Sequence, residues 1–356
     1  MDFSAINAQI PVPSRTAETA AREKWNSIAK PLGSLGLLED MVVKIAALTG
    51  CHDVDISKRV VLVFCADNGI VEEGVTQTDS SVTMAVAQNL TRGQTSVCRM
   101  ARTANCDVIP VDAGMNTLPD FEGLISRRAG DGTRNFTKEP AMTREQAELA
   151  ITAGIELARD MAERGYNIIA TGEMGIGNTT TSSAVCAAIL KLPATDVTGR
   201  GSGLSDFGLA KKIAVIEKGL RLYMSDNDMT DCDRAITALM CLGGFDIAAM
   251  AGVFLGGAIY KIPVLIDGFI SSVAALVAAM LCPKSTVAAL PSHVSGEPAG
   301  HIVLDALGLK PVICAGMRLG EGTGAVAALP LLDLTLSVYN SSSSFDELGI
   351  DSYTPQ

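Results

Sequence analysis

The chain has 356 residues, of which 48% are hydrophobic, and a formal net charge of −11 at pH 7. A chain of this length and composition can bury one large hydrophobic core or two unequal ones. The acidic excess argues against a nucleic-acid partner, because phosphate backbones favour clustered Lys and Arg. The longest apolar stretches, Ile247 to Tyr260 and Phe269 to Cys282, are shorter than the roughly 20 residues of a transmembrane helix, so we expect no membrane span.

The cysteines, the histidines and the N-terminal segment bear on metal content and compartment. Nine cysteines lie singly, without a CxxC pair, which is typical of reduced thiols in a protein core. The three histidines are not spaced as ligands on one helix face, so we expect no metal site. The segment MDFSAINAQIPVPSR has neither the basic nor the apolar stretch of a signal peptide, and we therefore expect a cytoplasmic protein.

The first 50 residues have a helical pattern, which the turn motif KPLGSLG at Lys30–Gly36 interrupts. Short β-rich runs then alternate with longer helical segments. This alternation predicts right-handed βαβ crossovers and an α/β fold, with a mostly parallel sheet covered by helices on both faces. The predicted strands are Arg59–Cys65, Asp107–Val111, Asn167–Ala170, Pro263–Ile266, Thr286–Leu290 and Pro311–Cys314.

We expect the two ends of the chain to pack together. A helix that starts near Gly324 should contact the N-terminal helices. The predicted division is therefore a small helical domain of residues 1–50 and 325–345, a large α/β domain of residues 51–324, and a polar tail of residues 346–356.

Acids, small hydroxyls and glycines follow all six predicted strands. In an open parallel sheet the carboxyl ends of the strands share one edge, and ligands bind there. The alternative is that these residues serve as turns and helix caps. The six loops are ADNG at 66–69, DAG at 112–114, TGEMGIGNTT at 171–180, DGF at 267–269, PSHVSGE at 291–297 and AGMRLGEGTG at 315–324.

The GEMGIGNTT motif is suited to bind a phosphate. Gly175 and Gly177 let backbone amides approach closely, and Asn178 can cap the following helix, whose N-terminus attracts anions. Glu173 lies in the same loop, and Glu321 lies in a second glycine-rich loop. Two glutamates beside a phosphate site suggest a nucleotide-like substrate with a proton to remove. For Glu173, a capping or structural role is an equal alternative.

Glu321 lies between apolar segments, which indicate burial and would suit a base that acts near neutral pH. Its motif GEGTGA, Gly320–Ala325, also fits the GxGxxG/A pattern of dinucleotide sites. That pattern lies at the end of the chain without a following βαβ unit, and Glu321 would face the pyrophosphate. A NAD-dependent oxidoreductase and a non-catalytic nucleotide-binding protein are the two alternative functions that stay open at this point.

Eight motifs together resemble the nicotinate-nucleotide–dimethylbenzimidazole phosphoribosyltransferase family, and the resemblance runs from about residue 10 to residue 335. It implies a Rossmann-like parallel sheet, a small domain from both chain ends, and a homodimer. It also implies transfer of the phosphoribosyl group of nicotinate mononucleotide to dimethylbenzimidazole or a related azole, with inversion, to give α-ribazole 5'-phosphate and nicotinate for the cobalamin lower ligand. The motifs are KPLGSLG, CADNGIVEEGV, TRGQTSVC, GEMGIGNTT, GGFDIAAMAGV, PVLIDGF, PSHVSGE and GMRLGEGTGAV.

The resemblance also implies residue roles. Glu321 is the general base that takes a proton from one azole nitrogen while the other nitrogen attacks C1′, and Glu173 is a second acid near the reacting centre. The leaving pyridinium becomes neutral as it departs, so neither a cofactor nor a metal is expected. The residues that the resemblance assigns to the nucleotide and its phosphate are Gly175, Ile176, Gly177, Asn178, Lys212, Ser295 and Asp267. Those that it assigns to the base pocket are Thr78, Val82, Val86, Met174 and Leu319.

Two positions depart from the family pattern. Asn68 stands where some members have His, so we assign it no proton role. Val86 stands where well-known members have a Gln that binds the benzimidazole, and Gln88 should point about 200° away on a helix. The resemblance therefore implies a pocket that accepts several benzimidazoles, unless Gln77 or Gln88 reaches the same ring atom.

Overall fold

A parallel sheet forms the centre of the molecule, which the computed structural model describes for residues 1–226 and 228–353. The strands found in these ranges are β1 (Arg59–Ala66), β2 (Cys106–Gly114), β3 (Ile125–Ser126), β4 (Ile168–Met174), β5 (Val264–Ile266) and β6 (Ala289–Pro291). They pair in the order β3-β2-β1-β4-β5-β6, and each pairing is parallel. The predicted α/β fold with an open parallel sheet is confirmed.

The strand order changes direction at β1. The chain runs from β1 outward to β2 and β3, and then returns to β4 on the other side of β1. Ligands of open parallel sheets bind at such a switch point, outside the carboxyl ends of the strands. The segments that follow β1 and β4 therefore face a crevice, and both carry polar side chains: Asp67 and Asn68 after β1, and Glu173 at the end of β4.

Two predicted strands need correction. Pro311–Cys314 is not a strand, because it makes only one isolated bridge, from Ile313 to His293. Thr286–Leu290 starts in a 3₁₀ helix, Pro283–Val287, where proline sets the first turn, and the strand itself covers Ala289–Pro291. The two-residue strand β3 is not predicted, since so short a segment has no alternating pattern.

Polar N-caps mark several helix starts, as at Thr143 and Ser205, whose side chains accept hydrogen bonds from the first turn. None of the described helices is long and apolar enough to cross a bilayer. Two 3₁₀ helices cover Gly69–Glu73 and Pro283–Val287. The α-helices are α1 (Phe3–Gln9), α2 (Arg15–Ser27), α3 (Leu37–Thr49), α4 (Ser81–Thr91), α5 (Ser96–Thr103), α6 (Arg144–Glu163), α7 (Asn178–Leu190), α8 (Ala194–Val197), α9 (Asp206–Tyr223), α10 (Asp231–Leu242), α11 (Phe245–Tyr260), α12 (Phe269–Leu281), α13 (Gly300–Ala306), α14 (Thr323–Ser341) and α15 (Phe345–Leu348).

The sheet has a hydrophobic core on each face, because the side chains of a strand alternate between faces. Leu62 and Phe64 of β1 lie in one core together with residues of α6, α7, α10, α11 and α12. Val63 and Cys65 lie in the other, with residues of α2, α3, α5 and α14. All of β1 is buried, as expected for a strand covered by helices on both faces.

Helices from the two ends of the chain contact each other. The rings of Trp25 in α2 and Tyr339 in α14 have centroids 4.8 Å apart. These helices share their core with one face of the sheet. Helix α1 lies elsewhere, where the Cys282 thiol donates to the carbonyl of Phe3 at 3.3 Å. The division into a small and a large domain stays a prediction.

The predicted polar tail, residues 346–356, begins within the short helix α15. Ser344 and Glu347 form a capping box at its start. The ring of Phe345 packs edge-on against Tyr353, with centroids 5.1 Å apart. Residues 354–356 of the tail lie outside the described residues.

Candidate active site

A cavity of about 270 Å³ opens at the carboxyl edge of the sheet, beside the switch point. The ends of β4, β5 and β6, the first residues of α7 and α12, and the loop before α14 form its walls. Most of the predicted site residues meet there: Glu173, Met174, Gly175, Ile176, Gly177, Asn178, Lys212, Asp267, Ser295, Leu319 and Glu321.

Three residues that were predicted to form the base pocket are not among the described residues that line this cavity. Thr78 is exposed in the loop before α4, and Val82 and Val86 are half-buried on that helix. Val86 packs against the hydrophobic core that contains Val63 and Cys65. The role of these three residues in base binding stays a prediction.

The main chain holds Glu321 at the mouth of the cavity. Its φ of +60° is left-handed, and the flanking Gly320 and Gly322 have φ values of +89° and +90°, which glycine adopts without steric cost. The N–H of Glu321 donates to the main-chain carbonyl of Glu173 (3.2 Å). Its Oε2 accepts from the N–H of Val97 (3.1 Å), in the first turn of α5. Glu321 is half-buried rather than buried, because its loop lies over the cavity.

Glu173 is the more deeply buried of the two glutamates, with 7% of its surface exposed. It lies at the end of β4, where its Oε2 accepts a hydrogen bond from Asn178 Nδ2. Burial, followed by the negative charge of Asp246, raises the pKa of Glu173 to about 8. The buried environment that the sequence predicted for Glu321 is therefore found at Glu173.

Asp246 is a buried acid to which sequence reasoning assigned no role, although its motif GGFDIAAMAGV is part of the family resemblance. It lies in the first turn of α11 and is fully buried. Its Oδ2 accepts from Asn178 Nδ2 at 3.0 Å, and its Oδ1 from the N–H of Ile247 at 3.0 Å. Burial raises the pKa of Asp246 to about 6, although these hydrogen bonds oppose the shift. One amide group thus joins two buried carboxyl groups.

Asp267 lines the cavity, but its hydrogen bonds go to the start of α14. Its Oδ1 accepts from the N–H groups of Gly324 (2.7 Å) and Ala325 (3.1 Å), and its Oδ2 from that of Gly322 (3.1 Å). Burial raises the pKa of Asp267 to about 6, against the effect of these amides. The residue predicted to bind the nucleotide therefore also fixes the loop that carries Glu321.

The GEMGIGNTT motif, which is predicted to bind a phosphate, has the local structure expected from its glycines. Gly177 is the left-handed N-cap of α7, with φ of +94°. A Cβ on Gly175 would lie 2.6 Å from the carbonyl oxygen of Ala66, so only glycine lets this loop pack against the end of β1. The helix N-terminus opens into the cavity and provides a positive dipole end for an anion.

Lys212 reaches the same end of the cavity from the middle of α9 and is 1% exposed. Its Nζ donates to Thr179 Oγ1 at 2.8 Å and to the carbonyl of Gly199 at 3.1 Å. Burial lowers the pKa of Lys212 to about 8. A glycine-rich loop before α9 completes this wall, and sequence reasoning missed it although the run TGRGSGL marks it: Arg200, Gly201, Ser202 and Leu204.

Two further lining residues were not predicted individually, although their loops were. His293, in the PSHVSGE loop, is buried, and its Nδ1 lies 3.1 Å from Ser292 Oγ. Burial lowers the pKa of His293, which favours the neutral ring. Arg318 precedes Leu319 in the loop before α14 and lines the cavity. Within the described ranges, no three His, Cys, Asp or Glu side chains come together as metal ligands would.

Comparison with known proteins decides the family. A family model described as Phosphoribosyltransferase matches residues 10–350. The chain is 42% identical over 335 residues to the nicotinate-nucleotide–dimethylbenzimidazole phosphoribosyltransferase of Acetivibrio thermocellus, and the match covers 94% of each chain. The chain belongs to this phosphoribosyltransferase family. A family member of the same name from Chloroflexus aurantiacus is 41% identical over 348 residues, which cover 98% of this chain and 97% of that protein.

The fold of the family agrees with this membership. The crystal structure of CobT from Thermus thermophilus superposes with a TM-score of 0.88 and 35% identity, over 95% of this chain and 100% of that chain. The resemblance drawn from the eight motifs is confirmed. The motif GEGTGA also lacks the context of a dinucleotide site, because Pro311–Cys314 before it is not a strand.

Proposed function

We propose that this protein transfers the phosphoribosyl group of nicotinate mononucleotide to 5,6-dimethylbenzimidazole or a related azole base, with inversion at C1′. The products are α-ribazole 5′-phosphate, a precursor of the cobalamin lower ligand, and nicotinate. The supporting observation is the position of Glu321, whose half-buried carboxylate lies at the same cavity as the N-terminus of α7. Relatives at about 40% identity carry the name of this activity.

The nucleotide phosphate binds at the start of α7. The amides near Gly177 and the helix dipole favour the anion there, and Lys212, which donates to Thr179 in the first turn of α7, supplies a point charge beside them. Ser295 and the glycine-rich loop of Arg200 lie around the same space. A phosphate fixed at this end directs the ribose towards Glu173 and Glu321, because the cavity continues to both side chains.

The azole binds between Glu321 and the ribose. One carboxylate oxygen of Glu321 is held by the Val97 amide, and the carboxylate takes the N–H proton of the azole as the other ring nitrogen attacks C1′. The new C1′–N bond forms on the face opposite the departing nicotinate, so the configuration inverts. The electrons of the broken bond neutralise the pyridinium nitrogen, and the departure needs no acid.

Met174 and Leu319 line the cavity beside Glu321 and form part of the base pocket. We assign Thr78, Val82 and Val86 to the same pocket, because α4 joins the phosphate site where Thr83 Oγ1 accepts from the N–H of Ile176 at 3.2 Å. Methionine adapts its shape to different rings. The homodimer and the cytoplasmic location stay predictions.

One assay tests the activity. The purified protein is incubated with nicotinate mononucleotide and dimethylbenzimidazole, and the mixture is analysed by mass for a riboside phosphate and free nicotinate. Nuclear magnetic resonance of the product assigns the anomer, and an α anomer supports inversion. The absence of product with each azole base tried would refute the proposal. Binding of nicotinate mononucleotide without turnover would favour a non-catalytic nucleotide-binding protein.

A further inference from the structure

Glu173, which lines the cavity, forms a pair of buried carboxyl groups with Asp246, which lies outside the cavity lining. Only 7% and 0% of their surfaces, respectively, are exposed. Asn178 Nδ2 donates to Glu173 Oε2 and to Asp246 Oδ2, and the second distance is 3.0 Å. Two adjacent carboxyl groups in a buried site do not both ionise easily, so the pair is expected to retain one proton near neutral pH.

The surroundings differ between the two groups and decide where that proton lies. Asp246 Oδ1 accepts from the Ile247 amide at 3.0 Å, in the first turn of the 16-residue helix α11. A helix N-terminus and two hydrogen bonds stabilise the ionised form of Asp246. Glu173 has the Asn178 hydrogen bond, but Asp246, Asp267 and Glu321 add negative charge around it. Ionisation is therefore less favourable at Glu173.

The main chain at Gly244 and Gly175 packs closely against the Asp246 carboxyl group. A Cβ on Gly244 would lie 2.4 Å from Asp246 Oδ1, and a Cβ on Gly175 would lie 3.1 Å from its Oδ2. Besides Asp267 and Glu321, Asp67 and the thiol of Cys65 are titratable groups near the pair. Burial and the surrounding carboxylates hold the pKa of the Cys65 thiol well above its usual range, so the thiol stays neutral and adds no charge beside the pair.

We propose that Asp246 is a positioning residue for Glu173: as the buried anion of the pair, held on the same Asn178 amide, it keeps Glu173 in the neutral carboxylic acid form at neutral pH. The role for the reaction rests on the proposed function. A neutral Glu173 donates a hydrogen bond into the cavity and adds no second negative charge beside Glu321. Both effects favour a substrate that itself carries a phosphate and a carboxylate.

The proton is observable without turnover. A protonated carboxyl group has an infrared C=O stretch that an ionised one lacks, and Glu173→Gln assigns that band by its loss. We expect the band in the unliganded protein at pH 7 and its disappearance as the pH rises through about 8. In Asp246→Asn, whose neutral amide no longer repels the Glu173 anion, the band should disappear at a pH lower by on the order of one unit.

Two further variants keep the test decisive. Asp246→Ala removes the same negative charge with a smaller side chain, so it replaces Asp246→Asn if that variant does not fold, and in it too the Glu173 band should disappear at a lower pH. Asp112→Asn is the matched control, because Asp112 is 1% exposed but pairs with Arg128 at 2.5 Å. Its substitution should leave the Glu173 band in place.

Several results would overturn the inference. They are a wild-type spectrum without the band at pH 7, a band that survives Glu173→Gln but not Asp246→Asn, and a band whose titration Asp246→Asn does not move. In kinetics, the alkaline limb of kcat/KM should shift downward with the band in Asp246→Asn, which a merely structural role would not cause. The infrared titration needs no reaction. A wild-type protein without transfer activity would therefore count against the proposed function and not against the protonation of Glu173.

Discussion

The main-chain N–H of Glu321 donates to the main-chain carbonyl of Glu173 at 3.2 Å. This bond ties the loop before α14 to the end of β4, so the two glutamates keep a fixed separation. The contact is close because both loops contain glycine: a Cβ on Gly172 would lie 2.5 Å from the carbonyl oxygen of Glu321. The two glycines beside Glu321 let main-chain contacts fix its loop, and the Val97 N–H then holds its carboxylate.

The first prediction concerns Glu321→Gln, which keeps the shape of the side chain and removes its basicity. If Glu321 takes the azole proton, kcat should fall by about 10²–10⁴-fold, the usual contribution of a general base. Steady-state kinetics with dimethylbenzimidazole measure this fall. A base without an N–H, such as 1-methylbenzimidazole, is the matched substrate and should be affected much less. Turnover within about threefold of the wild type would contradict the role.

The second prediction concerns stability and Glu173. Its pKa lies near 8 in the folded protein and near the ordinary value of 4.5 in the unfolded chain. Between these values the folded state binds more protons, so the free energy of unfolding falls as the pH rises. One proton corresponds to about 1.4 kcal/mol per pH unit. Glu173→Gln should remove this contribution to the pH dependence. Its free energy of unfolding relative to that of the wild type should therefore be higher at pH 8 than at pH 5.

Urea unfolding at several values between pH 5 and pH 8 measures the effect of Glu173→Gln. The control is Glu163→Gln at the end of α6, where the carboxylate is 70% exposed and its loss should leave the slope unchanged. Equal slopes in the wild type and in Glu173→Gln would show that Glu173 is ionised in the folded protein throughout this range.

The sheet and the loops of the site could be predicted because their signals are local. The run RVVLVFCA is apolar on both faces and matches β1, and the glycines of GEMGIGNTT predict the cap of α7. Pro311–Cys314 has a similar apolar composition but no continuous partner strand, and pairing is a tertiary property that composition does not contain. Its assignment as a strand was therefore wrong.

Asp246 and the glycine-rich loop before α9 show why the rest of the site could not be predicted. Asp246 lies at a helix start, where an acidic residue is common because it stabilises the helix N-terminus. Its role in the site depends on its contact with Asn178, 68 positions earlier in the chain. Glu321 was expected to be the buried glutamate because of its apolar neighbours. The structure places the apolar segment after Glu321 in α14, leaves residues 312–315 before it half-buried or exposed, and holds the Glu321 side chain at the cavity mouth.

The third prediction concerns Lys212, for which Lys211 is a matched control. Lys212 is buried at the phosphate end of the cavity, whereas its neighbour Lys211 is exposed. Lys212→Ala should raise the KM for nicotinate mononucleotide at least tenfold more than the KM for the azole, because in the proposed complex it removes the charge beside the phosphate. Lys211→Ala should change neither constant. Equal effects of Lys212→Ala on both KM values would assign the lysine a structural role only.

The last prediction concerns the choice of base. A buried polar partner rejects ligands that cannot pair with it, whereas an apolar wall discriminates by only about 1–3 kcal/mol per methylene-sized change. Val86 cannot supply the polar partner, and Gln77, one of the two side chains that could replace it, already donates to the carbonyl of Gly203. We therefore expect turnover of several benzimidazoles, including unsubstituted and singly substituted ones, and a sharper preference in Val86→Gln.

Paired bases that compete in one reaction give the ratio of their kcat/KM values directly, and Val86→Ile is the apolar control. A preference above about a hundredfold for dimethylbenzimidazole in the wild type, far beyond the discrimination of one apolar contact, would show that another polar group, such as Gln88, selects the base.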